Sequence, residues 1–104
     1  MNMALLFLSC ADDKEAQKIS QSLLKKHLIV CAKKTPVFSA FFWKGEIDKA
    51  NEILLVMESV EENFEEIEKE VRKLHSYETF VLSVIPVIKY SKGVEDWLKE
   101  GLKK

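Results

Sequence analysis

The sequence has 104 residues, room for one domain (1–104) with one hydrophobic core. With 47% hydrophobic and 32% charged residues it falls in the soluble globular range, which excludes disordered and collagen-like architectures. The net charge is −1, and Arg72 is the only arginine among mostly lysine cations. An arginine-rich surface for phosphate or nucleic acid is therefore not expected.

The apolar start Met1–Leu8 lacks a basic leader region and runs into the acidic pair Asp12-Asp13, so residues 3 to 10 read as a buried first strand rather than a signal peptide. No apolar run reaches transmembrane length. No membrane association is expected, and a cytoplasmic location with Cys10 and Cys31 reduced follows. Asp12 and Glu15 have the spacing of a capping box, and Ala16, Ile19, Leu23 and Leu24 continue as a helix to about Lys26. Leu28–Ala32 reads as a strand start, interrupted by Lys33–Pro36. The proline suits an edge or a bulge.

Val37–Ile47 is the most constrained stretch. As a strand it sends Phe38, Ala40 and Phe42 to one face and Ser39, Phe41 and Trp43 to the other. Both faces are aromatic, more than one small domain can cover, so a second copy of the chain is the expected cover. Lys44-Gly45 is a two-residue hairpin turn in which only the glycine takes positive φ freely. The returning strand, Glu52–Met57, is again apolar on both faces. Ser59 with Glu62 repeats the capping-box spacing, and Val60, Phe64, Ile67, Val71 and Leu74 form the clearest amphipathic stripe, ending at His75–Tyr77. Val81–Ile88 is a third two-faced apolar stretch, its Pro86 favouring an edge or bulge. Val94, Trp97, Leu98 and Leu102 mark a short final helix.

The order is βαββαβ plus a C-terminal helix, an α+β ferredoxin-like sandwich with two helices on one sheet face and the other face apolar and open. Such a face usually marks association. Cys10, Cys31, His27 and His75 are the soft or borderline metal ligands, a donor set suited to copper or zinc. There is no Cys-x-x-Cys or His-x-x-x-His, so no closed structural zinc site, and no metal required for folding, is expected. The cysteines also fit as small buried hydrophobes. His75 lies at a helix C-terminus, where the dipole favours a protonated imidazole, and Tyr77 and Glu78 follow it immediately. His27 reads as surface. Trp43 suits packing or a ligand platform, and the charged 61–73 face is a solvated helix surface.

Cys10 beside a strand-helix start, Leu23-Leu24 with Val30-Cys31-Ala32, Phe42-Trp43-Lys44-Gly45-Glu46-Ile47 and Leu74-His75-Ser76-Tyr77-Glu78 together resemble the CutA family, the divalent cation tolerance proteins, over essentially the whole chain. The resemblance implies a tight homotrimer whose long hairpins extend the sheets across subunit boundaries, with Phe41, Phe42, Trp43 and Gly45 at the interface. It implies binding of copper or another divalent metal, with His75, Cys31 and Cys10 as candidate ligands and Trp43, Tyr77 and Glu78 in the pocket. It carries no catalytic reaction; an animal relative is associated with membrane anchoring of acetylcholinesterase. Ser76 and Phe80 stand where the family often has prolines, and Glu58 where it tends to have lysine. A trimeric small-ligand sensor like the P-II signalling proteins is the alternative. Three glycines and one arginine suit a phosphate cradle poorly. An acylphosphatase-like enzyme would need an arginine loop where Cys10–Asp13 is acidic, and a heavy-metal chaperone would need a second cysteine there.

Overall fold

The computed structural model describes residues 1–103. Strand β1 (Met3–Cys10) leads to helix α1 (Asp13–Lys25), then come β2 (Cys31–Trp43), β3 (Glu46–Val60), a 3₁₀ turn (Glu61–Asn63), α2 (Phe64–Leu74), β4 (Leu82–Pro86) and α3 (Val94–Gly101). The four strands form one antiparallel sheet in the order β2-β3-β1-β4, the ferredoxin-like arrangement. Register decides the faces: Leu6 lies between Met57 and Val84, and Leu8 between Leu55 and Leu82. These side chains meet Ala16, Ile19 and Leu23 of α1 and Ile67 and Val71 of α2 in the core. Burying each large aliphatic side chain of this kind contributes about 1.5–3 kcal/mol. Leu5, Phe7, Leu54, Val56 and Ile85 fall on the alternate positions, and none of them is fully buried. The open apolar face read from the sequence is present.

β2 has 13 residues and β3 has 15, but β1 pairs with β3 only from Ile53 to Val60. Val37–Trp43 and Glu46–Glu52 therefore pair only with each other, as an arm that carries the long axis of a 45 × 26 × 21 Å protomer. Its turn is Lys44-Gly45 with φ of 52° and 81°, both left-handed, as a two-residue hairpin of this twist demands. On the arm Phe38 is 91% exposed, Phe42 78% and Ile47 70%. β2 is not interrupted at Lys33–Pro36. It runs through Pro36 as an edge strand, where a missing N–H is tolerated, and Pro86 likewise lies on the other edge strand.

Two local readings are corrected. Ser59 caps no helix: it closes β3, is fully buried, and its hydroxyl donates to the Leu28 carbonyl at 2.6 Å. Val60 belongs to the strand with it, and α2 begins at Phe64 without a side-chain cap. Only Leu82–Pro86 of the third apolar stretch pairs as strand, leaving Val81 and Ile88 exposed.

Of the final helix's stripe, Leu98 is buried while Trp97 stays 44% exposed. His27 is exposed but engaged: in the left-handed region at φ 57°, its Nδ1–H donates to the Gly101 carbonyl at 3.0 Å. Gly101 lies so close to Val30 that an added Cβ would stand 2.5 Å from Val30 Cγ1. Gly101→Ala should therefore destabilise the fold by about 1–3 kcal/mol. Thermal unfolding checks this, and Val30→Ala in the same chain should recover most of the loss.

Candidate functional site

The end of β1 brings together residues far apart in the sequence. Cys10 is the last residue of the strand, Glu15 lies in the first turn of α1, and His75 is the C-cap of α2. The Cys10 thiol, a Glu15 carboxylate oxygen and a His75 ring nitrogen all lie within 4.8 Å of one another. Capping chemistry puts Glu15 there. Asp12 accepts the Glu15 N–H at 2.8 Å, which is one half of the expected capping box. The other half is rerouted, because Glu15 Oε2 accepts from Ala11 N–H at 2.8 Å and Oε1 from Ser76 N–H at 2.5 Å. Ser76 can do this only because it is not proline.

His75 has no exposed side-chain surface. Its Nε2–H donates to the Ser9 carbonyl at 2.8 Å and its Nδ1 accepts from Tyr77 N–H at 3.0 Å. A carbonyl can only accept and an amide N–H only donate, so the ring is the neutral Nε2–H tautomer. The expectation of an imidazolium at the helix end is corrected: backbone partners claim both nitrogens. Burial first, then the carboxylates of Glu15, Asp12 and Glu52, push the Cys10 thiol up to about 12, so it is protonated at neutral pH. Burial also works against a charge on Glu15, but the hydrogen bonds from Ala11 and Ser76 outweigh it and hold the carboxyl below its ordinary value. The Tyr77 hydroxyl donates to Glu52 at 2.6 Å, and burial together with that carboxylate raises it. The Tyr77 ring centroid lies 4.8 Å from that of His75. Phe80 stacks on His75 at 5.2 Å and 21°, with the Arg72 guanidinium 4.6 Å over the Phe80 ring.

Of the sequence-derived candidates, Cys10, His75 and Tyr77 therefore meet. Cys31 does not join them: it pairs with Glu58 and Cys10 with Ile53, about 17 Å apart along β3 at ~3.4 Å per residue. It also faces the open side of the sheet, where Lys33 Nζ lies 3.4 Å from its sulfur and pairs with Glu58. The acid that reverses the resemblance's expected lysine thus has its own counter-ion. Trp43 is at the tip of the arm and Glu78 is exposed. Glu15 and Glu52 were missed as site residues. Glu15 was absorbed by its capping role, while Glu52 carried a signal, a lone acid at the start of an apolar run that turns out only 8% exposed. A groove of about 580 Å³ opens beside the cluster, lined by Asp12, Asp13, Pro36, Phe38 and Glu52 among others.

A protonated thiol beside an imidazole with no free nitrogen is not a nucleophile with its base. Sulfur, nitrogen and carboxylate oxygen converging on one point are instead a donor set for a borderline or soft cation. Fold and site together define a ferredoxin-like domain with a projecting hairpin and a mixed-donor cluster at the end of its first strand. The family model described as CutA1 divalent ion tolerance protein matches residues 4–101, and the chain belongs to that family. It is 33% identical over 95 residues to the divalent-cation tolerance protein CutA of Archaeoglobus fulgidus, covering 91% of this chain and 93% of that one. Against the Thermotoga maritima CutA the identity is 32% over 100 residues, covering 96% and 99%. The solved structure of the Archaeoglobus protein, described as periplasmic, superposes with a TM-score of 0.94 at 31% identity, covering 97% and 99%. Among the described residues no helix is long and apolar enough to cross a membrane.

A carboxyl held below its ordinary value contributes stability that is present above the unfolded value of about 4.3 and is lost as pH falls through the lower folded value. Metal-free Glu15→Gln should therefore show a shallower loss of thermal stability than wild type between pH 5 and pH 2, measured by circular dichroism. Parallel acid limbs would show that Glu15 carries no such linkage.

Proposed function

We propose that the protein binds copper or a similar divalent cation through Cys10, Glu15 and His75 and contributes in that way to metal tolerance. The observation that carries the reading is the convergence of three different donor types within 4.8 Å at a buried point. The fit is sound in kind: small side-chain movements bring such a set to coordination distance, and the neighbouring Asp12 and Glu52 add negative charge, Asp13 being paired with Lys34. The same acids weigh against a phosphate-bearing effector, and so against the P-II-like alternative. Coordination requires Cys10 to lose its proton and His75 to free a nitrogen. Affinity should therefore rise with pH.

The reading includes a homotrimer. Its support is the arm, whose β3 edge over Glu46–Glu52 has no strand partner in the protomer, and the exposed Phe38, Phe42, Trp43 and Ile47 around it. A cytoplasmic location is part of it too, since Cys10 and Cys31 are free thiols.

Calorimetric titration of Cu(II) and Zn(II) tests the site. Cys10→Ser and His75→Ala should each weaken binding by about 100-fold or more, beyond what outer-shell changes do. Cys31→Ala should leave it unchanged, and unaltered affinity in both site variants would sink the assignment. For the assembly, sedimentation at micromolar concentration should give three times the protomer mass. Phe42→Ser with Trp43→Ser should shift it toward the protomer, whereas a well-folded monomeric wild type would exclude the trimer.

A further inference from the structure

We propose that Phe80, seated by Arg72, is a gate over the Cys10, Glu15 and His75 cluster, so that entry is set by opening of the loop between α2 and β4. As control of cation entry this rests on the function proposed above. As control of access to the Cys10 thiol it rests on the stacking of Phe80 on His75, whose ring lies within 4.8 Å of that sulfur.

Cys10 is fully buried, the His75 side chain has no exposed surface, and the Glu15 side chain keeps only 10%. A cation therefore reaches the sulfur and the imidazole only through a rearrangement, while Glu15 keeps a narrow solvent edge. The elements that enclose the cluster differ in how they are held. Cys10 and Ser9 end the central strand, paired there with β3, and Glu15 belongs to a capped helix. Residues 76–81 belong to neither helix nor strand. Ser76 and Tyr77 are tied by hydrogen bonds to Glu15, His75 and Glu52. Phe80 is held by packing alone: its ring rests against the edge of the core, stacks on His75 at 5.2 Å and lies under the Arg72 guanidinium at 4.6 Å. Stacking and a cation over a ring are weak, non-covalent holds that a local fluctuation can release. Opening at Phe80 uncovers His75 without breaking the sheet, the kind of sub-global event that native proteins sample continuously.

The position is also where this chain departs from the proline pattern it resembles. A proline ring there would set φ but could not offer a flat face to the imidazole. Arg72 is the chain's only arginine, it stands 59% exposed, and Glu68 pairs with it at 3.3 Å one turn earlier. It thus joins the gate to the outer surface of α2.

The test uses the full chain with Cys31→Ser, leaving Cys10 as the one thiol, and follows its reaction with excess Ellman's reagent in native buffer. Phe80→Ala should raise the rate about tenfold and Arg72→Gln about threefold. The double variant should be no faster than Phe80→Ala, because Arg72 acts through the Phe80 ring. The rate should be flat in low urea, since a local opening exposes little surface. Unchanged rates in both single variants, additive effects in the double, or a rate that climbs with urea along the global unfolding curve would each overturn the gate. Arg72→Gln keeps the test open if Phe80→Ala folds poorly. Stopped-flow mixing with Zn(II) then separates the two readings. If Phe80→Ala speeds thiol reaction while Cys10→Ser leaves zinc affinity intact, the cation reading fails and the thiol gate stands. If Cys10→Ser abolishes zinc binding while Phe80→Ala leaves the thiol and zinc rates unchanged, the site stands and the gate fails.

Discussion

Everything distinctive about this protein depends on β3 being longer than its neighbour. Its register with β1 runs from Ile53 to Val60, and at Ile53 the central strand simply stops, opposite Cys10. On one side of that point β3 is paired along both edges and one face of the sheet is covered by helices, with Leu6, Leu8, Leu55 and Met57 fully buried. On the other, β2 and β3 continue alone. One stop thus divides the molecule into a core that the protomer completes by itself and an arm that it does not.

A strand that ends inside a fold leaves polar groups needing partners, since a buried group left unsatisfied costs about 1–3 kcal/mol. Here the next residues supply them. The Ser9 carbonyl takes the His75 ring proton, the Ala11 N–H goes to Glu15, and Glu52, one residue beyond the last β1 partner of β3, accepts from Tyr77. No buried side-chain polar atom among the described residues lacks a hydrogen bond. The cluster is therefore first a polar plug at the end of β1. Its value as a donor set follows from that architecture: satisfying a strand end gathers an imidazole and a carboxylate beside the last side chain of the strand, and that side chain is a thiol.

Much of this was legible from the chain. Asp12 before an amphipathic run, Lys44-Gly45 between two aromatic-rich strands and the Phe64, Ile67, Val71, Leu74 stripe are local signals, and each forms the element it indicates. Ser59 with Glu62 shows the limit. Its spacing satisfies the capping pattern, but the Leu28 carbonyl, buried 31 residues earlier, needed a donor and took the hydroxyl. Glu15 was half legible for the same reason: its backbone role is local, while its side chain answers to Ser76, 61 residues away. Cys10 and Cys31 looked equivalent in sequence, and only the register, which puts them on opposite faces, one opposite the middle of β3 and the other near its end, tells them apart. Long-range demands of buried polar groups leave no periodicity to read.

The central claim is that this strand end can hold a cation through sulfur and imidazole. X-ray absorption at the copper edge, on copper-loaded protein carrying Cys31→Ser, tests it most directly because Cys10 is then the only cysteine present. The predicted spectrum has one thiolate sulfur and at least one imidazole nitrogen in the inner shell, both lost in Cys10→Ser with His75→Ala. An inner shell of oxygen and nitrogen alone, the same with and without Cys10, would contradict it.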